Sequence, residues 1–264
     1  MATSAVLGLL IGVLLALTGA GGGILAVPLL VFGAHLGVAQ AGPIALMAVG
    51  MAAGIGALLG LRAGIVRYKA ALLIAGAGML LAPAGLWLAG RIDNRWLSIV
   101  FALVLLYVAW KTWRGARPAA PDGTPAAAPV CTRSPVTNRF IWTRPCALAL
   151  GLSGTVAGLL SGLLGVGGGF VMVPVLKRYT DLSMQSVVAT SLAVIALVSA
   201  TGVAASAASG ALNWPIALPF TGGAVAGMLI GRTVSARLAG PLLQRGFAAI
   251  AAIVALTMLG RAAL

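Results

Sequence analysis

Acid is what this chain has least of. Three of its 264 residues are Asp or Glu, against 17 Lys or Arg, and charged residues together make up 8%. A soluble domain carries about a quarter charged residues, so a water-facing globule is excluded. The three acids, Asp93, Asp122 and Asp181, all fall between apolar runs. No carboxylate is left within a span, where proton-driven carriers usually keep one. One histidine and two cysteines supply neither a metal cluster nor a disulfide framework. Cys131 and Cys146 both fall in a polar central stretch, away from any central pathway, so a thiol relay has no support either. A membrane-embedded enzyme needs paired carboxylates, clustered histidines or a Ser/His arrangement. With none of these, the chain reads as a non-enzyme without metal or cofactor.

What the chain has in quantity is apolar length. Hydrophobic residues make up 61%, and Pro43–Leu61, Ala70–Gly90, Leu97–Trp110 and Val187–Ala208 are runs suited to a hydrocarbon core about 30 Å thick. The 37 glycines suit membrane helices that pack closely without a hydrophobic drive between them. The net charge of +14 sits in short runs between the apolar spans, as loop cations on one side of a membrane do. The expected partner is therefore the lipid bilayer and not nucleic acid. Met1–Leu17 is apolar without a cationic n-region and is read as membrane segment rather than as a cleaved signal.

The chain also repeats itself, at an offset of 146 residues (Gly8 to Gly154). Gly19-Ala-Gly-Gly-Gly-Ile-Leu-Ala-Val-Pro-Leu-Leu30 aligns with Gly165-Val-Gly-Gly-Gly-Phe-Val-Met-Val-Pro-Val-Leu176, identical at seven of twelve positions. The same register pairs Gly12 with Gly158, Gly64 with Gly210, Gly85 with Gly231, Arg91 with Arg237 and Phe101 with Phe247. Such persistence marks a duplicated unit, about 5–113 and 151–262. The expected organisation is a first membrane repeat over 1–113, a Pro-rich linker over 114–146 and a second membrane repeat over 147–264. Six of the 13 prolines lie in Arg114–Pro145, as in a flexible or extended connection. Phe140-Ile-Trp142 reads equally as an interfacial anchor or as an apolar lead into the next span.

Each repeat holds four apolar segments, in the first about 5–33, 40–61, 70–90 and 96–113. The glycine motif interrupts the first of them. Ala5–Thr18 reaches only about 21 Å as a helix, and three consecutive glycines each weaken a helix by about 1 kcal/mol relative to alanine. Pro28 is placed for the first turns of a new helix. The segment is then either one broken span or a re-entrant pair of half-helices. If all segments cross, the cations divide almost evenly. If the first segment of each repeat is re-entrant, every cation except Arg91, Arg95 and Arg261 falls on one side, which the positive-inside rule favours. Three crossings per repeat invert the second copy relative to the first, a plan of secondary transporters. The expected fold is thus an all-α polytopic membrane protein of two inverted repeats, each with a broken or re-entrant first segment plus three transmembrane helices. The linker is then cytoplasmic and both termini periplasmic. Trp87, Trp96 and Trp214 fall at the outer boundary, and Tyr68, Trp110 and Trp113 at the inner.

At the start of each second half-helix, backbone N–H groups without helical partners point into the break, with about half a positive charge from the helix dipole. Glycine lets a ligand approach that backbone. Two such ends meeting at the axis form an anion site without Lys or Arg. The bland alternative is close helix packing at small residues, but three adjacent glycines do not share one helix face. The two glycine motifs, with Ala189-Thr190-Ser191-Leu192 after the second, resemble the TauE/SafE sulfite exporter family over essentially both repeats. The resemblance implies a bacterial inner-membrane transporter of a small sulfur-containing anion, sulfite or an organosulfonate, in a family of exporters and uptake permeases. The chain departs from the pattern in its first repeat, where Ile44-Ala45 stand at the place of Thr190-Ser191.

The candidate substrate-binding residues are Thr18, Gly21, Gly22 and Gly23 at the first break, Ser161, Gly167, Gly168 and Gly169 at the second, and Thr190 and Ser191. Hydroxyls in membrane helices often bond back to their own backbone, which is the competing reading for the Ser and Thr residues. Ser199 and Thr201, two to three turns on, rank below them, as does Gln40 as a lining residue. His35 is the residue type suited to proton coupling, but its loop position favours a solvated histidine. An anion channel on the same scaffold is the alternative to a carrier. The anion, the direction, any coupling ion and the oligomeric state are left open by the sequence.

Overall fold

The computed structural model describes residues 2–115, 131, 143–238 and 241–263. Phe140-Ile-Trp142 and most of the linker lie outside the described residues. Ten α-helices follow in order: α1 (Ala2–Thr18), α2 (Ala26–Gly33), α3 (Val38–Arg62), α4 (Tyr68–Ala89), α5 (Asn94–Gly115), α6 (Arg144–Leu164), α7 (Gly169–Tyr179), α8 (Met184–Ala208), α9 (Trp214–Leu238) and α10 (Pro241–Ala263). A 3₁₀ turn, Gly19–Leu25, joins α1 to α2. Helix α5 thus runs to Gly115 and α6 begins at Arg144, Thr143 capping it through a bond from the Cys146 N–H at 3.4 Å. Among the described residues six helices are long and apolar enough to cross a membrane: α3, α4, α5, α6, α8 and α9. The chain is an all-α polytopic membrane protein.

The duplication is visible in the helix ends. Val38–Arg62 and Met184–Ala208 both hold 25 residues and start 146 apart in sequence. Contacts obey the same exchange: α1 packs along α9 as α6 packs along α4, and α3 packs on α8 at the centre. Glycine sets the closeness of these pairs. Gly8 and Gly12 face the backbone of Phe220, Ala224 and Met228, and Gly154, Gly158 and Gly162 face that of Ile74, Gly78 and Ala82, so both pairs run parallel. A Cβ on Gly158 would stand 2.5 Å from the Gly78 Cα. By contrast, Gly50 meets Ser199, Gly56 meets Leu192 and Gly60 meets Ala189, so α3 and α8 run antiparallel.

Both broken segments fold back on themselves. The Cδ1 of Leu7, early in α1, lies 2.5 Å from where a Gly33 Cβ would stand at the end of α2, and Gly22 abuts the backbone of Leu14 and Leu15. On the linker side, Cys131 closes a disulfide with Cys146 in the first turn of α6, Cα to Cα 5.2 Å. The Cys131 N–H also donates to the Tyr179 carbonyl at 2.9 Å, at the end of α7. Start and finish of the α6–α7 hairpin therefore lie at one end of the molecule. The two cysteines, read from the sequence as no disulfide framework, are thus joined in one bridge. Fifteen residues separate them, and it is the return of α7 to the start of α6 that brings the linker thiol alongside its partner.

The outward surface is apolar, Leu80 being 82% exposed, and Trp87, Trp96, Trp110, Trp113 and Trp214 are all exposed near helix ends. The Arg91 guanidinium lies 4.7 Å from the Trp87 ring and that of Arg114 4.1 Å from Trp110, pairing a cation with an interfacial aromatic. Within the core, alanine and glycine fill most contact positions between helices, as expected where association rests on van der Waals contact.

Gly158→Ala is expected to destabilise the fold by about 1–3 kcal/mol through overpacking, seen as a lower midpoint of thermal unfolding in detergent. Gly151→Ala, with open space around it, is expected to be neutral. In the purified, unreduced chain neither cysteine should alkylate with a maleimide until a thiol reductant is added.

Candidate functional site

The two breaks meet in the interior. A Cβ on Gly23 would stand 3.4 Å from the Val166 carbonyl oxygen and 3.0 Å from Val49 on α3. A Cβ on Gly167 would stand 2.8 Å from Ile195 and 3.0 Å from the Ser199 hydroxyl, both on α8. Val49 and Ile195 are matching positions of the two repeats, so the crossing of α3 and α8 forms the wall behind both breaks. Residues 22–28 and 164–170 are buried.

The same motif takes two different backbones. Gly165, Gly167 and Gly168 adopt φ of 70°, 73° and 69°, a left-handed conformation that glycine enters at little cost. Gly168 caps α7, and the first bonds of that helix run from the Val171 and Met172 N–H groups to the Gly168 carbonyl. The N–H groups of Gly169 and Phe170 precede them, without a helical partner. At the first break, Gly21, Gly22 and Gly23 belong to the 3₁₀ turn, whose own bonds lead without reversal into α2. Helix α7, at 11 residues, is also longer than α2, at 8. The second break is therefore the better donor of an anion-binding helix end.

The hydroxyls sort by whether they are occupied. Ser161, Ser191 and Ser199 are buried and their oxygens have no hydrogen-bond partner, nor has that of Thr221. Ser191, Ile195 and Ser199 recur at intervals of four, which places them on one face of α8, and Ile195 and Ser199 meet Gly167. Ser161 lies on the last turn of α6 before the break. Thr18 is engaged differently, donating to the Leu14 carbonyl at 2.7 Å. Thr190 accepts from the Arg67 N–H at 3.1 Å, tying α8 to the start of α4. Thr201 bonds back to Val198 at 2.8 Å. Gln40 is exposed in the first turn of α3, and His35 is exposed between α2 and α3, both apart from the breaks.

Ser199, ranked low in the sequence, is thus the hydroxyl nearest Gly167. Its signal was the eight-residue interval from Ser191. All four unpartnered hydroxyls come from the second repeat; Leu15, Ala45, Ala53 and Ala75 stand at the matching positions of the first. The two breaks correspond in the helices that flank them but differ in backbone and in polarity. Arg67, on the linker side, adds a buried Nε without a partner. Among the described residues no group of His, Cys, Asp and Glu is arranged to hold a metal ion.

Comparison with known proteins bears on this geometry. A family model described as "Sulfite exporter TauE/SafE" matches residues 4–258. A "Probable membrane transporter protein" of Xylella fastidiosa (strain Temecula1 / ATCC 700964) is 29% identical over 258 residues, covering 96% of this chain and 92% of the relative. "Probable membrane transporter protein YunE" of Bacillus subtilis (strain 168) is 37% identical over 83 residues, 31% of this chain and 30% of that protein. No solved structure matches significantly.

If an anion sits beside Gly167, Ser199→Ala is expected to weaken its binding about tenfold, the scale of one hydrogen bond to a charged partner, with unfolding unchanged. Thr190→Ala removes the acceptor of the Arg67 N–H and is expected to lower stability by about 1 kcal/mol. Isothermal titration and thermal unfolding separate the two.

Proposed function

The chain belongs to the sulfite exporter TauE/SafE family, and we propose that it carries a small sulfur-containing anion, sulfite or an organosulfonate, held between its two helix breaks. That it is a multi-pass membrane transporter and not an enzyme agrees with its relatives' names and its six long apolar helices. The observation that carries the substrate reading is the approach of Gly23 to Val166 and Gly167 beside the unpartnered Ser199 hydroxyl. Neutral donors suit a transported anion. Backbone N–H groups and hydroxyls hold it without the grip of a desolvated arginine, and release to the other side stays possible.

In this reading the anion rests at the N-terminus of α7, against Gly167, Gly168 and Gly169, with Ser161, Ser191 and Ser199 as hydroxyl donors. Gly21, Gly22 and Gly23 supply the facing backbone. Thr18 and Thr190 serve the helices that carry them. Burial of both breaks supports alternating access, in which the hairpins move against the central α3–α8 pair. The antiparallel run of α3 and α8 supports inversion of one repeat relative to the other. With the linker cytoplasmic, every cation but Arg91, Arg95 and Arg261 lies on the cytoplasmic side, in keeping with the positive-inside rule, in a bacterial inner membrane with both termini periplasmic. The Cys131–Cys146 bridge then lies on the side where disulfides are transient and redox-sensitive.

The test is flux of sulfite and organosulfonates in proteoliposomes, against sulfate and chloride, with and without a sodium or proton gradient. Saturable flux of one sulfur anion is expected, abolished by Gly22→Leu or Gly168→Leu with membrane insertion intact. Full retention of flux in both variants moves the site elsewhere, and single-molecule conductance in place of saturable flux makes the scaffold a channel. A periplasmic reporter fused after Leu264 should be active; an inactive one, with a cytoplasmic reporter active there, reverses the orientation.

A further inference from the structure

At the end of the molecule opposite the linker, a cavity of about 560 Å³ opens between the α2–α3 corner, the first turn of α5 and the last turn of α10. Its polar lining is Arg95, Arg261, His35, Asn94 and Ser98, with no acidic side chain among the residues that line it. Only three of the chain's cations fall at this end under the topology above, and two of them share this one cavity. The third, Arg91, is engaged with Trp87. A membrane protein keeps few cations on this side, yet two guanidiniums from helices 166 residues apart in sequence (Arg95 to Arg261), both exposed, line one cavity without an acidic neighbour in its lining.

The cavity is also built to hold negative charge. Gly37, the residue before α3, and Asn94, which opens α5, both line it. Two helix N-termini, each worth about half a positive charge, therefore open on the same space. The Asn94 Oδ1 accepts from the Val38 N–H at 2.7 Å, which locks the two ends together and keeps the amide NH₂ as a donor. The Arg261 guanidinium, though exposed, lies 5.0 Å from the Phe32 ring at the corner. His35 sits in the same corner at a φ of 53°, unusual for a residue other than glycine.

We propose that this cavity is a second anion site, distinct from the helix breaks, which takes an oxyanion between Arg95 and Arg261. A tetrahedral or trigonal-pyramidal anion suits paired guanidiniums. Two sources present that chemistry: a free sulfur oxyanion, and the phosphate of an anionic lipid headgroup at the membrane surface. The proposal rests on the membrane topology and sulfur-anion reading above, but its test reads binding and not flux.

The test uses full-length protein carrying Ser199→Ala, which lowers anion binding at the breaks without forcing a side chain onto Gly168, where a Cβ would stand 2.7 Å from the Ala157 carbonyl oxygen. Equilibrium dialysis with labelled sulfite, in zwitterionic detergent, is expected to show remaining binding weakened about tenfold or more by Arg95→Gln or Arg261→Gln. Native mass spectrometry after purification from membranes reports the second source. Phosphatidylglycerol retained by the parent and lost from both arginine variants, without sulfite binding, assigns the cavity to a headgroup. Ser98→Asp, which leaves both arginines in place and adds a negative charge, should reduce either ligand's binding and covers the case of a variant that misfolds. Unchanged retention of sulfite and of phosphatidylglycerol in all three variants, or binding of neither by the parent, overturns the proposal. Loss of flux in the Ser199→Ala parent with binding intact leaves this site standing whatever becomes of the transport reading.

Discussion

A peptide group in hydrocarbon has no water to bond with, so each interruption of a membrane helix has to be enclosed by protein. The rest of this architecture follows from that requirement. Two helices are broken at glycine, and both breaks are buried against the α3–α8 pair, at Val49 and Ile195. Helices α9 and α4 run beside α1 and α6, shielding the long leg of each hairpin. The parallel contacts can be that close because glycine lines them, and it is the closeness that keeps lipid from the breaks.

Enclosure and polarity are distributed differently between the halves. Both repeats contribute the fold path, since helix ends correspond across the 146-residue offset. The chemistry comes mostly from the second, through three left-handed glycines and the hydroxyls of Ser161, Ser191 and Ser199. A duplicated scaffold can be specialised in this way, one copy keeping apolar residues where the other acquires donors.

Much of the fold was legible because membrane segments obey composition and length. The runs of Pro43–Leu61 and Val187–Ala208 sit inside α3 and α8, and the hairpin form of the first segments was favoured by the cations alone. What was not legible depended on contacts between distant parts. Cys131 and Cys146 were two unremarkable cysteines until the return of α7 brought Tyr179 and the start of α6 together. Gly19–Gly23 and Gly165–Gly169 differ at a single residue, Ala20 against Val166, yet they take a 3₁₀ turn and a left-handed turn; the surrounding packing decides between them. Thr190 carried the family's motif, and its acceptor role toward the Arg67 N–H, a contact between distant parts of the chain, was not readable from it. Ser199 was readable by helical periodicity and was ranked low only by its distance along the chain from the break.

The bridge at Cys131 also changes what joins the two halves. Closed, it makes the leash between repeats the stretch from Gly115 to Cys131, about 16 residues; open, the leash runs on to Arg144, about 29 residues. At about 3.5 Å per residue, its greatest span is roughly 55 Å in the first case and roughly 100 Å in the second. One covalent bond thus sets how far the carboxyl end of α5 can travel from the α6–α7 hairpin, without touching any residue inside the membrane.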